Sequence, residues 1–383
     1  MAKKQVRTLS LLFALLLTCW SCLALPTVAG AAEWTSDCTS AADWDHTGLP
    51  FGASDSVPTA STCFSQTELS RLRVCLGGMP FGVKFMTDGI FVVGFSDVDT
   101  SSGSSNPARS AGLKIGDTIL RADGTPLESA AELTSLVENG EGRAITLSCS
   151  RNGNAFECRL IPSYSKQEKR YKTGLYVRDS GAGIGTVTFI LPQTQAFCGL
   201  GHGICDGESG ALIPIERGSV VDVTINGLVK GLSGSPGEVK GYFSSGKTGT
   251  LLGNTHCGVY GVLAKLPALA SASGTVPVAH RTELTEGKAY LCASLDGNTV
   301  KQYEVEISNI QRDSQSNKCF TVHVTDPELI SKTGGIIQGM SGSPLLQNGK
   351  LVGAVTHVLI NDPTTGYGIF IENMLNQMGD MIR

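Results

Sequence analysis

Short apolar segments divided by glycine-containing turns run through the second half of the chain and restrict it to a mainly β fold. The segments span residues 185–191, 211–215, 220–225, 258–263, 287–291, 303–307, 320–324 and 350–360. Each has the length of a strand, and the 47 glycines of the chain favour tight turns between them. In this half of the chain, only residues 372–378, near the C-terminus, have a helical pattern. This spacing predicts a β-sandwich or a pair of β-barrels.

A second unit precedes these strands. It begins with two short strands, at residues 82–85 and 90–95. The sequences Ala-Gly-Leu (111–113), Gly-Asp (116–117) and Asp-Gly (123–124) follow, and then an amphipathic helix (129–138) and a closing strand (144–150). This order resembles that of a PDZ domain. The resemblance implies an α+β unit that binds an extended peptide at a sheet edge, with Phe81, Gly82 and Val83 beside the helix. A purely structural spacer is the alternative.

The N-terminus has the features of an export signal. Lys3, Lys4 and Arg7 precede an apolar run over residues 9–25, and small residues follow at 28–32. The pattern predicts a signal peptide or an uncleaved membrane anchor, and either one exports the rest of the protein. The sequence therefore predicts five segments: a signal peptide or anchor (residues 1–32), a linker or pro-segment (33–73), a PDZ domain (74–162), a polar linker (163–172) and a peptidase domain (173–383).

A serine in a glycine-rich turn is the strongest candidate for chemistry. Ser341 lies in the sequence Gly-Met-Ser-Gly-Ser-Pro, immediately before the apolar segment 350–360. Such a turn can present a nucleophilic hydroxyl beside backbone amides, and those of Gly339 and Ser341 are predicted to form an oxyanion hole. His202, between two glycines, is the predicted general base. We expect a serine peptidase that works through an acyl-enzyme without a cofactor.

Several motifs together resemble the stage IV sporulation protein B peptidases, a chymotrypsin-related serine peptidase family of endospore formers. They lie at residues 201–206, 325–329, 333–344, 353–358 and 361–368, after the PDZ unit. The resemblance implies a chymotrypsin-like double β-barrel. It also implies a signalling protease exported into the space between the two forespore membranes. There such a protease cleaves a membrane-embedded regulatory complex, which leads to activation of a sigma factor. Cleavage of its own N-terminal segment is a further expectation.

The third member of the catalytic triad is not fixed by the sequence. The family resemblance implies Asp326, which would orient His202 and fix its tautomer. Asp206, on the turn after His202, and Asp362 are the alternatives. His357 lies on the strand that follows the nucleophile, which borders the substrate pocket in chymotrypsin-like folds. We therefore expect His357 to contribute to side-chain selection.

A second copy of the nucleophile pattern, Gly-Leu-Ser-Gly-Ser-Pro, lies at residues 231–236. The Ser341 motif is preceded by the pair Gly334-Gly335 and followed by a long apolar strand. The second copy has neither, so it is predicted to be a hairpin loop. The cysteines and histidines at positions 198, 202, 205, 256 and 257 do not have the spacing of a standard zinc site, and no metal is expected.

The charge balance and the domain order limit the function classes. Lys and Arg together number 30 against 34 acidic residues, so the chain lacks the basic footprint of a nucleic-acid-binding protein. The expected partners are a protein substrate and a peptide or membrane-protein segment in the PDZ groove. Two alternatives remain at this stage, a catalytically inactive PDZ adaptor and an HtrA-like quality-control protease. HtrA-type enzymes place their PDZ domain after the peptidase domain, which is the reverse of the order here.

Overall fold

The computed structural model describes residues 64–379, except residues 65, 208 and 273. Most of these residues lie in strands, as the glycine-divided apolar segments predict. The predicted export signal and the linker or pro-segment as far as residue 63 lie outside the described residues. Within the described range, no helix combines the length and the apolar character needed to cross a bilayer.

The elements up to residue 172 include a small α+β unit. They are α1 (Gln66–Arg71), β1 (Arg73–Leu76), β2 (Pro80–Phe95), β3 (Val98–Thr100), β4 (Gly103–Ser105), α2 (Pro107–Ser110), β5 (Thr118–Ala122), β6 (Thr125–Pro126), α3 (Ala130–Asn139), β7 (Ile145–Arg151), β8 (Asn154–Leu160), β9 (Ser163–Ser165) and β10 (Arg170–Lys172). Helix α3 begins after Ser129, whose hydroxyl accepts a hydrogen bond from the Glu132 N–H. Leu133 and Val137 of α3 are buried in the same core as Ile119 and Leu147 of the sheet. The predicted amphipathic helix is confirmed.

The next elements complete a first β-barrel. They are β11 (Leu175–Ile190), β12 (Ala196–Gly199), β13 (Ile215–Val229), β14 (Glu238–Thr255), β15 (Gly258–Leu263), α4 (Ala268–Ala272) and β16 (Thr275–Pro277). Strands β11, β12, β15, β14, β13 and β2 are hydrogen-bonded in that order, and β2 also pairs with β11. This extra pairing closes the six strands into a ring. Phe81, Phe85, Phe197, Leu200 and Val220 fill its interior.

A second six-stranded barrel follows. Its elements are β17 (Gly287–Ala293), β18 (Lys301–Ser308), β19 (Phe320–Val324), α5 (Pro327–Thr333), β20 (Pro344–Gln347), β21 (Lys350–Leu359), β22 (Asp362–Phe370) and α6 (Ile371–Met378). The strands close in the order β17, β18, β19, β22, β21 and β20. In β18, Tyr303, Val305 and Ile307 point into the core, while the residues between them are more exposed. The predicted pair of barrels is thus present.

The α+β unit interrupts the first barrel in the sequence. Strands β2 and β11 have 16 residues each and pair with each other along most of their length. The first half of β2, with Phe81 and Phe85, belongs to the barrel core. In its second half, Ile90 and Val92 belong to the core of the α+β unit, whereas Phe91 and Val93 belong to the barrel core. One two-stranded ribbon therefore runs through both cores.

The predicted peptide-binding residues Phe81, Gly82 and Val83 lie in the barrel half of this ribbon. Gly82 and Val83 pair with β11 on one side and with β13 on the other, so the strand has no free edge at these two residues, whereas Phe81 pairs with β11 only. A peptide cannot add to a strand whose two edges are already hydrogen-bonded. The described pairing therefore contradicts strand addition at Gly82 and Val83 and does not support it at Phe81. The reason is that residues 82–85 and 90–95, predicted as two short strands, belong to one continuous strand of 16 residues.

We predict that Gly82→Val destabilises the protein. A Cβ atom at Gly82 would lie 2.5 Å from the Phe243 ring and 2.7 Å from the Val221 side chain. Overpacking of this kind costs about 1–3 kcal/mol, and thermal unfolding should show it as a lower Tm. Gly227→Ala is the matched control, because a Cβ there meets no atom within 4 Å. An unchanged Tm for Gly82→Val would contradict the barrel placement.

Candidate active site

The turn that contains Ser341 packs directly against the first barrel. Gly342 has a φ of +93°, and a Cβ atom there would lie 2.2 Å from the Thr186 carbonyl oxygen and 2.4 Å from the Leu200 nitrogen. Only glycine allows this approach. Since Leu200 lies two residues before His202, this contact joins the two barrels. It brings residues 339–344 of the second barrel, the serine turn, against residues 200–206 of the first barrel, the histidine loop.

Two buried threonines of β11 hold the carbonyl groups of the serine turn. The Thr186 N–H donates to the Ser341 carbonyl at 3.0 Å, and its hydroxyl donates to the Gly339 carbonyl at 2.7 Å. The Thr188 hydroxyl donates to the Gly342 carbonyl, also at 2.7 Å. The Thr186 carbonyl in turn accepts from the Leu200 N–H. One strand therefore fixes both the serine turn and the start of the histidine loop.

The amides of the serine turn are left available. Among the hydrogen bonds of the described residues, the N–H groups of Gly339 and Ser341 have no acceptor. Gly339 has a φ of +95°, a left-handed conformation that glycine adopts without strain. Two unpaired backbone donors beside a serine hydroxyl are the arrangement that an oxyanion hole requires.

His202 lies on the loop after β12 and is 4% exposed. Its Nδ1 is 2.8 Å from the Gly203 carbonyl oxygen, and its buried Nε2 has no hydrogen-bond partner. Because a carbonyl oxygen only accepts, Nδ1 must bear the proton of the neutral ring and Nε2 must bear the lone pair. Burial lowers the pKa of His202 from its ordinary value. The ring is therefore a neutral base with an unoccupied basic nitrogen.

The histidine loop is itself clamped by a single side chain. The Asn254 side-chain oxygen accepts from the Ile204 N–H at 2.8 Å. Its amide nitrogen donates to the carbonyl groups of Ile204 and Ile213, at 2.8 and 2.9 Å. Asn254 could not be recognised from the sequence, because an isolated asparagine in a strand gives no local signal.

His357 lies beside His202. The ring centroids are 5.0 Å apart, and the buried His357 Nδ1 has no hydrogen-bond partner. Burial, with a smaller effect from His202 and Lys318, lowers the pKa of His357 to about 3. The carbonyl of the preceding Thr356 accepts a hydrogen bond from the Ser341 hydroxyl at 2.8 Å. His357 therefore lies against the predicted base and next to the residue that binds the predicted nucleophile.

None of the three candidate carboxylates makes a described hydrogen bond to His202. Asp326 caps the N-terminus of α5, where its side chain accepts from the N–H groups of Glu328, Leu329 and Glu304. A carboxylate engaged by three backbone donors on the second barrel has a structural role. The structure therefore does not support Asp326 as the partner of His202.

The two alternative carboxylates are also bound elsewhere. Asp206 is 1% exposed and forms an ion pair with Arg178 of β11 at 2.6 Å. Burial opposes its ionisation, but the bonds from Ser209 and Arg178 outweigh burial, and its pKa is lowered. Asp362 accepts from Thr364 and Thr365 in the turn that begins β22. Asp206 ties the histidine loop to β11, and Asp362 organises a turn.

The strand after the nucleophile has a free edge at the site. Strand β21 pairs with β20 only as far as Ala354, whereas its pairing with β22 continues to Leu359. In the described structure, the side of β21 that faces away from β22 is therefore unpaired from Thr356 onwards. An extended peptide could add there, next to Ser341.

A second cleft lies in the α+β unit, between α3 and the start of β11. Its volume is about 230 Å³, and Ala130, Thr134, Lys172, Gly174 and Leu175 are among its lining residues. At Leu175 and Tyr176, strand β11 pairs only with β2 among the described strands, which leaves its other edge toward α3 unpaired. This cleft has the helix-and-strand geometry that the sequence assigned to Phe81–Val83.

Comparison with known families identifies two regions of the chain. The family model SpoIVB peptidase S55 matches residues 169–375, which include Ser341 and His202. The PDZ domain model matches residues 87–160. The matches account for both barrels from β11 onwards and for most of the α+β unit.

Among the described residues, no group of three or more His, Cys, Asp or Glu side chains could hold a metal ion.

Curated relatives match over short regions. A Clostridium acetobutylicum protein named Putative zinc metalloprotease is 27% identical over 107 residues, which is 28% of this chain and 28% of that protein. A Neisseria meningitidis protein of the same description is 33% identical over 100 residues, covering 26% of this chain and 20% of that protein. The chain thus spans less than a third of the length of these relatives.

Solved structures with partial similarity are proteases and a PDZ domain. The active form of an M. tuberculosis protease covers 52% of this chain and 74% of its own, with 15% identity and a TM-score of 0.31. The HtrA-type protease AlgW with a decapeptide covers 54% of each chain, with 13% identity and a TM-score of 0.32. A Listeria monocytogenes PDZ domain covers 24% of this chain and 87% of its own, with 16% identity and a TM-score of 0.19.

We predict that Asp326→Ala lowers stability by about 1 kcal/mol, the usual cost of losing a helix N-cap. Asp326→Asn is the matched variant, because asparagine retains a capping oxygen. Thermal unfolding should give a reduced Tm for the alanine variant and a smaller reduction for the asparagine variant, which keeps the cap but cannot accept from the Glu304 N–H. Equal Tm values for wild type and Asp326→Ala would contradict the capping role.

Proposed function

The chain belongs to the SpoIVB peptidase S55 family of serine peptidases, and we propose that it acts as an exported signalling endopeptidase in sporulation. Its substrate is proposed to be a membrane-associated regulatory protein whose cleavage leads to activation of a sigma factor. The observation that carries the proposal is the contact between the Ser341 turn and the His202 loop, beside two unpaired backbone amides. The family and the sequence pattern of residues 1–32 support the exported location.

We infer that Ser341 is the nucleophile and His202 the general base. In the resting site the Ser341 hydroxyl donates to the Thr356 carbonyl. A substrate strand added to the edge of β21 would bring its own N–H group to this carbonyl and displace the hydroxyl. The hydroxyl could then turn to the vacant Nε2 of His202. Substrate binding would in this way prepare the nucleophile.

The reaction then follows from the positions of the donors and the base. The Ser341 oxygen attacks the substrate carbonyl carbon as Nε2 takes its proton. The N–H groups of Gly339 and Ser341 stabilise the negative oxygen of the intermediate, each by about 3 kcal/mol. His202 returns the proton to the leaving amine, and an acyl-enzyme remains. A water molecule, deprotonated by His202, then hydrolyses the acyl-enzyme.

The Gly203 carbonyl performs part of the task that a carboxylate has in other triads. By accepting from Nδ1, it selects the tautomer in which Nε2 is the basic nitrogen. His357 packs against the same ring and limits its rotation. We propose that these two neighbours orient His202, and that His357 also borders the site where substrate binds.

The α+β unit is proposed to hold a peptide or a protein segment in the cleft between α3 and β11. No described strand pairs with β11 on the α3 side at Leu175 and Tyr176, and this open edge supports the role. The Leu175 N–H donates to the Thr173 hydroxyl at 3.3 Å and would exchange this bond for one to the peptide. The same strand continues to Thr186 and Thr188 at the serine turn. Cleavage of the protein's own segment between residues 32 and 70 is also proposed.

The test is covalent labelling of the full chain with a fluorophosphonate, measured by intact mass. We expect wild type to gain the mass of one probe and Ser341→Ala to gain none. Ser343→Ala is the matched control in the same turn, because its buried hydroxyl has no hydrogen-bond partner and its loss should leave labelling intact.

Two other outcomes would change the assignment. If wild type and Ser341→Ala are equally unlabelled, a catalytically inactive PDZ adaptor becomes the better description. If Ser341→Ala is still labelled, another serine is the nucleophile. Peptides released during the incubation would also reveal whether the chain cleaves itself between residues 32 and 70.

A further inference from the structure

The long hairpin formed by β13 and β14 reaches from the first barrel to the serine turn of the second. Beyond Val221 of β13 and Lys247 of β14, its two strands pair only with each other among the described strands. The tip connecting them contains the second Gly-Leu-Ser-Gly-Ser-Pro sequence. Leu232 and Ser235 form an antiparallel bridge there, which confirms the predicted hairpin loop.

The hairpin tip, residues 230–239, is hydrogen-bonded to both segments that surround Ser341. The Gly231 N–H donates to the Thr333 carbonyl at 2.8 Å, at the end of α5. The Gly234 N–H donates to the Ile360 carbonyl at 2.8 Å, at the turn after β21. The hairpin tip therefore joins the approach to the serine turn with the end of the strand behind it.

The next contacts determine the direction of an oxyanion-hole donor. The Gln338 N–H donates to the Gly237 carbonyl at 2.8 Å, and the Val239 N–H donates to the Gln338 carbonyl at 2.9 Å. The Gln338 carbonyl and the Gly339 N–H belong to one planar trans peptide, so they point in opposite directions. Holding the carbonyl therefore aims the N–H. Without this bond the peptide could rotate, because glycine tolerates either sign of φ.

The packing around this bridge leaves no room for side chains. A Cβ atom at Gly237 would lie 2.4 Å from the Gly231 nitrogen and 2.7 Å from an Ile337 methyl group. A Cβ at Gly334 would lie 2.2 Å from the Gly231 carbonyl oxygen. The Val239 side chain covers Gly339 at 3.0 Å from the position of its missing Cβ. Gly231 of the second motif and the adjoining Gly237 thus make close contact with the segment that leads to the serine turn.

We propose that the hairpin tip is a positioning element of the active site, which sets the oxyanion hole through the bridge of Gly237 and Val239 to Gln338. The inference rests on the proposed peptidase function. Ser233 of the repeated motif donates its hydroxyl to the Asn361 carbonyl at 2.8 Å and serves to anchor the hairpin tip. The hairpin tip acts on turnover by aiming the Gly339 N–H.

Val239→Pro tests the proposal, because proline lacks the N–H that donates to the Gln338 carbonyl. Loss of one oxyanion-hole donor typically costs a factor of about 100 to 1,000 in kcat. We expect at least a tenfold lower kcat on a peptide ester and a similarly slower fluorophosphonate labelling, with KM near wild type. Gly227→Ala, in the same hairpin, is the control and should match wild type in both, since its Cβ meets no atom within 4 Å.

The Tm of each variant shows whether a lower kcat comes from a changed oxyanion hole or from a destabilised fold. Gly237→Ala is the second variant, in case Val239→Pro does not fold, and it should show the same loss in kcat. A variant that retains the wild-type Tm and also labels at the wild-type rate would overturn the proposal. A loss confined to KM would overturn it too. If wild type itself is not labelled, the peptidase function fails instead, so the two failures are distinguishable.

Discussion

The hydrogen bonds of Thr186 are the interaction on which the rest of the site depends. Its N–H and hydroxyl bind the carbonyls of Ser341 and Gly339, and its own carbonyl binds the Leu200 N–H. Thr186 and Leu200 are buried, and Gly339 and Ser341 are half-buried, so a carbonyl left without its donor would cost up to about 1–3 kcal/mol. The serine turn belongs to one barrel and the histidine loop to the other. Thr186 therefore joins the two, and Thr188 adds a further bond to the serine turn.

Strand β11 also links this centre to the α+β unit. Its first residues border the cleft beside α3, Arg178 binds Asp206 on the histidine loop, and Thr186 binds the serine turn. A strand paired with β2 along most of its length is a stiff connection. The insertion of the α+β unit into the first barrel thus places a peptide-binding geometry and a reaction centre on one ribbon.

The sequence could predict the features that depend on local pattern. Strand spacing indicated a β-sandwich or a pair of barrels, the family resemblance implied the barrels, and the glycine turn around Ser341 indicated its available amides. The peptide-binding prediction is contradicted at Gly82 and Val83, because the pairing of a strand's second edge depends on partners more than a hundred residues away. The role of Asp326 was unpredictable for a similar reason, since a cap and a triad acid look alike in sequence. The contacts of Gln338 with Gly237 and Val239 are likewise long-range.

The tautomer and protonation of His202 test the central claim most directly. Nitrogen NMR of labelled histidine in the full chain, assigned with His202→Gln, reports both. We predict a proton on Nδ1 and none on Nε2 at neutral pH. Because burial lowers its pKa, the ring should stay neutral until the pH falls below the ordinary value of 6.5. A proton on Nε2 at neutral pH, or a ring that becomes charged above pH 6.5, would contradict it.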